Sequence, residues 1–167
     1  MATPNPDWNS IVEEHAERVF RIAYRILGSV HDAEDVSQNV FSEAFKKHQS
    51  GPIQTWTGLL VRLSTLRSID LLRNRQISHP IEERDQVSPH GPAEITAARE
   101  LATWLRDATG TLPPQQAAVF SLTHYEQLDR NEIAAVLSLS PESVSASLYK
   151  ARQSLQSQLN VFNGGAQ

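Results

Sequence analysis

The most constraining feature of this sequence is a break in its middle. Residues Gln76 to Pro92 read Gln-Ile-Ser-His-Pro-Ile-Glu-Glu-Arg-Asp-Gln-Val-Ser-Pro-His-Gly-Pro, with three prolines and one glycine among mostly polar residues. Proline removes a backbone donor and clashes with the preceding helical turn, so a regular helix or strand is not expected there. On both sides of the break, apolar residues recur at steps of three and four, the period of a helix face. No run alternates apolar and polar residues long enough to read as a strand. The expected fold class is therefore all-α: two small helical domains joined by a linker, the second containing a helix-turn-helix. The expected boundaries are 1–75 for the first domain, 76–92 for the linker, 93–160 for the second domain and 161–167 for a frayed tail.

In the first domain, Val12, Ala16, Val19, Phe20, Ala23, Ile26 and Leu27 share one face of a first helix. Ser10-Ile11-Val12-Glu13 has the pattern of a capping box, and Gly28 suits the helix end. A second helix is expected from near His31 to about Lys47. Asp32, Glu34 and Asp35 stand in its first turn and Lys46, Lys47 and His48 in its last, signs that match the helix dipole. Gln49-Ser50-Gly51-Pro52 then breaks the chain. A third helix is expected from about Thr55 to Arg75, with Trp56, Leu59, Leu60, Leu63, Leu66, Ile69 and Leu72 on its apolar side.

The second domain begins near Ala93 with a helix marked by Ala97, Leu101, Trp104, Leu105 and Ala108 and ended by Gly110. Leu112-Pro113-Pro114 opens the next, with proline fitted to a first turn. Between Arg130 and Arg152 the chain predicts a short helix capped by Asp129, a turn at Ser138-Leu139-Ser140 and a longer helix opened by Ser140-Pro141. Ala134 supplies the small residue that two steeply crossing helices need, and Leu137, Leu139 and Val144 fill the wedge. That is helix-turn-helix spacing, in which the second helix enters the DNA major groove.

Composition narrows the function classes. The chain of 167 residues has no cysteine, which removes disulfide and thiol chemistry. Neither a signal peptide nor an apolar stretch of about 20 residues is present, so a cytoplasmic location and no membrane insertion are expected. The formal charge of −4 means that any nucleic-acid partner must be held by a local basic surface. Such a surface is available in the third helix, where Arg62, Arg67, Arg73 and Arg75 face a single Asp70. Arg62 and Arg73, eleven residues apart, return to nearly the same face. The six histidines form no Glu-x-x-His or His-Glu-x-x-His set, there is no phosphate-cradling glycine loop, and the serines lack a nucleophile elbow. No enzyme activity, metal, cofactor or small-molecule substrate is expected.

Taken together, the two halves resemble the extracytoplasmic-function (ECF) group of bacterial RNA polymerase sigma factors, in the sigma-70 family. The likeness rests on Asp32-Ala33-Glu34-Asp35-Val36-Ser37-Gln38-Asn39-Val40-Phe41, on Trp56 and Ile69-Asp70-Leu71-Leu72-Arg73, and on Leu112-Pro113-Pro114-Gln115. It extends to Glu132-Ile133-Ala134, Val144, Leu148, Ala151-Arg152 and Leu155. The resemblance implies a transcription initiation factor that binds core RNA polymerase and directs it to promoter DNA. It implies polymerase contacts at Asp32, Glu34, Asp35 and Gln38. Binding and opening of the −10 element would fall to Lys47, Trp56, Arg62, Arg67, Arg73 and Arg75, where capture of an unstacked base offsets the few kcal/mol of unstacking. The −35 element would meet Ser140, Glu142, Ser143, Ser145, Ser147, Lys150 and Arg152. An inhibitory anti-sigma protein is a further partner that the family brings.

The sequence departs from the family pattern at three places: Leu66 where asparagine is usual, Gln116 where arginine is common, and Val144-Ser145-Ala146-Ser147 where a lysine and an arginine usually follow the valine. Fewer cations mean fewer phosphate contacts and weaker binding. An alternative function follows, a sigma-like regulator or adaptor that binds polymerase or a partner without productive promoter recognition. A plain helix-turn-helix repressor is the third reading, but it leaves the acidic second helix and the arginine-rich third helix unassigned.

Overall fold

The computed structural model describes residues 7–78 and 93–165. Seven helices follow in order: α1 (Trp8–Leu27), α2 (Val30–Ser50), α3 (Trp56–Ser78), α4 (Ala93–Thr111), α5 (Pro114–His124), α6 (Arg130–Leu137) and α7 (Pro141–Gly164). No strand occurs among the described residues, as the apolar periodicity requires.

Two helix starts show how capping and packing divide the work. Helix α1 begins at Trp8, after Asp7, and has no side-chain cap bond. The capping box expected at Ser10 is therefore not the start. Trp8 extends the helix backwards because its indole packs edge-on against Phe41, Phe45 and Trp56, with ring centroids 6.2, 5.0 and 5.9 Å away. Aromatic packing of this kind outweighs the roughly 1 kcal/mol a cap supplies. Helix α2 opens on Ser29, whose hydroxyl accepts from the Asp32 N–H at 3.3 Å. Helix α3 runs on through Gln76, Ile77 and Ser78, which the sequence reading gave to the linker; the first proline of that stretch comes only at position 80. The remainder of the expected linker, 79–92, lies outside the described residues.

Helix α3 is the spine of the molecule. It packs against α1 and α2 on one side and against α4, α5 and α6 on the other. Leu60, Leu63, Ile69 and Leu72 are buried as expected, but so are Ser64, Thr65 and Ser68, which lie close to Leu60 and Leu72 around the helix. Their hydroxyls donate to the carbonyls of Leu60, Val61 and Ser64 one turn back, at 2.6, 2.8 and 2.6 Å. Small side chains let neighbouring helices approach, and the back-bonds satisfy the buried hydroxyls.

The two halves are thus in contact, with a glycine at the seam. Gly28 ends α1 in the left-handed region at φ 69°, and a Cβ there would lie 2.7 Å from Nε of Arg106 on α4. Glycine takes the left-handed backbone without strain, and a larger residue would also have to push the Arg106 guanidinium aside.

In the second half, Asp129 and Glu132 form the capping box of α6: the Glu132 N–H donates to Asp129 Oδ1 at 2.9 Å and the Asp129 N–H to Glu132 Oε2 at 2.7 Å. The α6 end is a Schellman-type turn in which the Leu139 N–H donates to the Ala134 carbonyl at 2.9 Å. Its left-handed residue is Ser138, at φ 56° and ψ 45°. A serine there carries strain on the order of 1 kcal/mol. Ser138→Gly is expected to stabilise the chain by about that amount, a rise in Tm of roughly 2–4 °C. An unchanged or lower Tm in thermal unfolding would count against the assigned strain. Ser140 caps α7, accepting from the Ser143 N–H at 3.1 Å with Pro141 in the first turn.

Candidate nucleic-acid and polymerase interface

The arginines of α3 divide between its two sides. Arg67 lies between Glu43 of α2, with Nε–Oε2 and Nη2–Oε1 separations of 2.8 and 3.0 Å, and Asp70, 3.0 Å from Nη1. This fork-to-fork geometry is the strong form of a charge-assisted bond. It holds the Glu43 carboxyl below its ordinary range, chiefly through the Arg67 hydrogen bond, and raises Arg67. Arg75 pairs with Asp32 at the start of α2. These two arginines tie α3 to α2, and Asp32, expected at the polymerase surface, is turned inward toward α3. Glu34, Asp35 and Gln38 remain exposed along the outer side of α2, with His31 3.6 Å from Asp35.

Arg62 and Arg73 do share a face, and that face meets the second half. Arg62 Nη1 donates to Ser138 Oγ in the helix-turn-helix turn at 3.3 Å, and Arg73 donates to the Leu112 carbonyl. Two arginines of α1 strengthen the seam. Arg25 Nη1 donates to the Tyr125 carbonyl at 2.6 Å and lies 3.4 Å from Glu126 Oε1, while Arg18 Nε stands 3.6 Å from Glu126 Oε2. The Glu126 side chain is only 5% exposed. None of these three residues stands out in the sequence as a site residue; their signal is a long-range pairing that periodicity does not carry.

At the other end of the first half, Trp56 stacks edge-on with Trp8 and with His48, at 5.9 and 5.3 Å between centroids. Exposed Lys46 and Lys47 flank this aromatic group, and Phe45 is partly open to solvent. Trp56 and Lys47 were named from the sequence; Trp8 and Phe45 were not, although a tryptophan next to a helix start was a usable signal. Aromatic faces bordered by cations are the chemistry that binds unstacked bases.

On α7, Val144, Ser147, Ala151 and Leu155 face inward. Ser147 was expected at the DNA surface. It is buried instead, and its hydroxyl accepts from Gln115 Nε2 of α5 at 2.8 Å. It lies three residues after Val144 and four before Ala151, on the apolar face, so helical geometry takes it from the groove. Glu142, Ser145, Lys150 and Arg152 are exposed, and Ser140 and Ser143 are spent on the cap. The sequence reading passed over Tyr149, which is 63% exposed, and Gln153, whose Nε2 donates to Tyr149 Oη at 2.8 Å.

His124, at the end of α5, packs against Phe120 with the rings tilted by 42° and 4.4 Å between centroids. Burial and, secondarily, the charge of Arg152 lower its pKa. The unfolded chain then takes up its proton first as pH falls below about 6.5, so stability falls as pH drops from there toward the lower folded pKa. We expect the His124 imidazole to titrate below the ordinary histidine range by NMR and His124→Gln to lose part of the stability decline between pH 7.5 and 5.5. An ordinary titration for this ring would contradict the environment described.

A helical protein that joins an arginine-rich, aromatic-flanked helix to a helix-turn-helix falls in the class of DNA-binding transcription proteins. Known proteins narrow this class. The Sigma-70 region 2 family model matches residues 11–77 and the Sigma-70, region 4 model residues 102–155. The chain is 33% identical over 159 residues to the ECF RNA polymerase sigma factor SigE of Mycolicibacterium smegmatis, covering 92% of this chain and 62% of that protein. It is 26% identical over 165 residues to the ECF RNA polymerase sigma factor SigW of Bacillus subtilis, covering 89% of this chain and 87% of that one. Among solved structures, CnrH in complex with the cytosolic domain of CnrY superimposes with a TM-score of 0.62 at 22% identity, over 92% of this chain and 88% of that one. The Bartonella quintana sigma factor RpoE in complex with the anti-sigma factor NepR gives 0.56 at 17%, over 93% and 98%. The chain belongs to the ECF group of the sigma-70 family.

Proposed function

We propose that this chain binds core RNA polymerase in the cytoplasm and directs it to specific promoters, and that it acts by binding alone. Glu34, Asp35 and Gln38 on the outer side of α2 offer the polymerase surface, with Asp32 bracing α2 on α3 through Arg75. Arg62 and Arg73, with Trp56 and Lys47, serve the −10 element. Helix α7 serves the −35 element. Arg67 and Arg75 contribute by holding α3 on α2 rather than by meeting phosphate. An anti-sigma protein is a fitting partner, since one of the similar solved structures is a sigma factor in complex with the anti-sigma factor NepR and another is CnrH in complex with the cytosolic domain of CnrY. Among the described residues no helix is long and apolar enough to cross a membrane.

The observation that carries the reading is the order of the parts: a region 2 match and a region 4 match on either side of 79–92. We assign 79–92 as the tether between the two domains. Elements centred about 25 base pairs apart are separated by about 85 Å along DNA. Helix α7, the longest helix among the described residues, is about 36 Å long at 1.5 Å per residue. We infer that the halves part on the promoter, and that the contacts of Arg25, Arg62 and Arg73 across the seam are then exchanged for DNA and polymerase.

Run-off transcription with purified core polymerase on a pool of genomic fragments tests the proposal, with core binding measured in parallel. Specific transcripts that Arg62→Ala or Arg73→Ala weaken are the expected result. Core binding without transcripts would favour the regulator reading, to which the sparse positive charge of α7 lends its weight. Neither binding nor transcripts would overturn the proposal.

A further inference from the structure

The outward side of α7 carries more than its scattered cations. Glu142, Ala146, Tyr149 and Gln153 follow at steps of four, three and four, which places them in one stripe opposite the buried Val144, Ala151 and Leu155. All four are exposed. Ala146 removes side-chain bulk at the middle of the stripe, so the helix can sit deep in a groove. Lys150 and Arg152 flank the stripe, one on each side, where phosphates border a groove.

Tyr149 and Gln153 act as one unit. Gln153 Nε2 donates one N–H to Tyr149 Oη at 2.8 Å. That bond leaves the glutamine a second N–H and its carbonyl oxygen, one donor and one acceptor side by side. Adenine presents the complementary pair in the major groove, an acceptor at N7 and a donor at N6. Guanine presents two acceptors there and would leave the glutamine oxygen facing another oxygen. The tyrosine ring and the Ala146 methyl give apolar contact for the methyl group of the paired thymine.

We propose that Gln153, positioned by Tyr149, reads an A·T base pair in the upstream promoter element, and that this pair supplies specificity that the charge-poor helix cannot take from phosphates. The inference rests on the reading above, in which α7 lies in the major groove.

The test is transcription by core polymerase loaded with the full chain, on a promoter library randomised across the upstream element, with transcripts sequenced. The wild type is expected to prefer A·T at one position by about tenfold or more. Gln153→Ala should flatten that position and leave the others unchanged. Gln153→Glu, which keeps the acceptor and loses the donor, should move the preference toward C·G. Tyr149→Phe keeps the ring and removes the hydroxyl, so discrimination should fall several-fold at that same position. Both sites are exposed, and helical circular dichroism checks the fold of all three variants. Wild-type preferences that survive Gln153→Ala unchanged would overturn the assignment while leaving the initiation function standing. A wild type with specific transcripts but no upstream preference would overturn the assignment as well, and with it the major-groove placement of α7. Absence of any specific transcript would sink both readings together.

Discussion

Glu126→Ala is expected to loosen the seam between the two halves and to make the chain at once less stable and a better promoter binder. The Glu126 carboxylate is 5% exposed and faces Arg18 and Arg25 at 3.6 and 3.4 Å. Removing one partner of a fully buried pair costs about 3–5 kcal/mol, because the remaining charge is stranded. Here the arginines are 35% and 42% exposed, and they recover part of their hydration. Arg25 also keeps its bond to the Tyr125 carbonyl. A loss of about 2 kcal/mol is the reasonable magnitude, after discounting for solvent. If the halves part on the promoter as proposed, that energy no longer opposes binding. Each 1.4 kcal/mol is worth about tenfold in affinity, so promoter binding by the loaded polymerase should tighten by about an order of magnitude or more. Small-angle scattering should show a larger radius of gyration for the variant, and for the wild type at high salt, where the ion pairs are screened. A variant with wild-type dimensions and wild-type promoter affinity would mean that Glu126 does not hold the seam.

Ile133→Ala is expected to remove upstream promoter binding while sparing the first half. Ile133 is 1% exposed and anchors α6, a helix of eight residues. A helix so short has no stability of its own and depends on packing. Deleting most of a buried isoleucine costs about 2–4 kcal/mol, counting the cavity left behind. Helix α6 touches both α7 and α3, so the lesion loosens the turn that aims α7 and also weakens the seam. Denaturant titration should show the midpoint falling by that energy. Upstream-dependent transcripts should fall by two orders of magnitude, and binding to core polymerase through α2 should persist. A loss below 1 kcal/mol, or retained promoter selectivity, would show that α6 is not the keystone of the second half.

Much of the fold was written in short-range pattern. The helical periods, the left-handed stop at Gly28, the Asp129–Glu132 capping box and the Ser140-Pro141 start each depend on residues at most four positions apart, so the sequence carries them openly. The pairing of Arg62 and Arg73 on one face is of the same kind, an angle fixed by counting along a helix. Where two local signals competed, tertiary packing chose: the aromatic group around Trp8 started α1 before Ser10. The placement of Ser147 was legible too, since it falls on the face of Val144 and Ala151, but its residue type argued for the surface.

The sequence by itself determined the helices, the helix-turn-helix and the family, because spacing and capping act within a turn or two and residue order survives without the fold. Only the tertiary structure decided which partners those residues take. The Arg25–Tyr125 bond spans 100 positions and the Arg62–Ser138 bond 76, separations over which no periodic signal runs. The burial of Ser64, Thr65 and Ser68 likewise follows from the helices packed against α3. A helix with neighbours on both sides buries small polar residues that its own sequence would leave in water, and it draws Arg62 and Arg73, expected from the sequence at the DNA, into contacts with the second half.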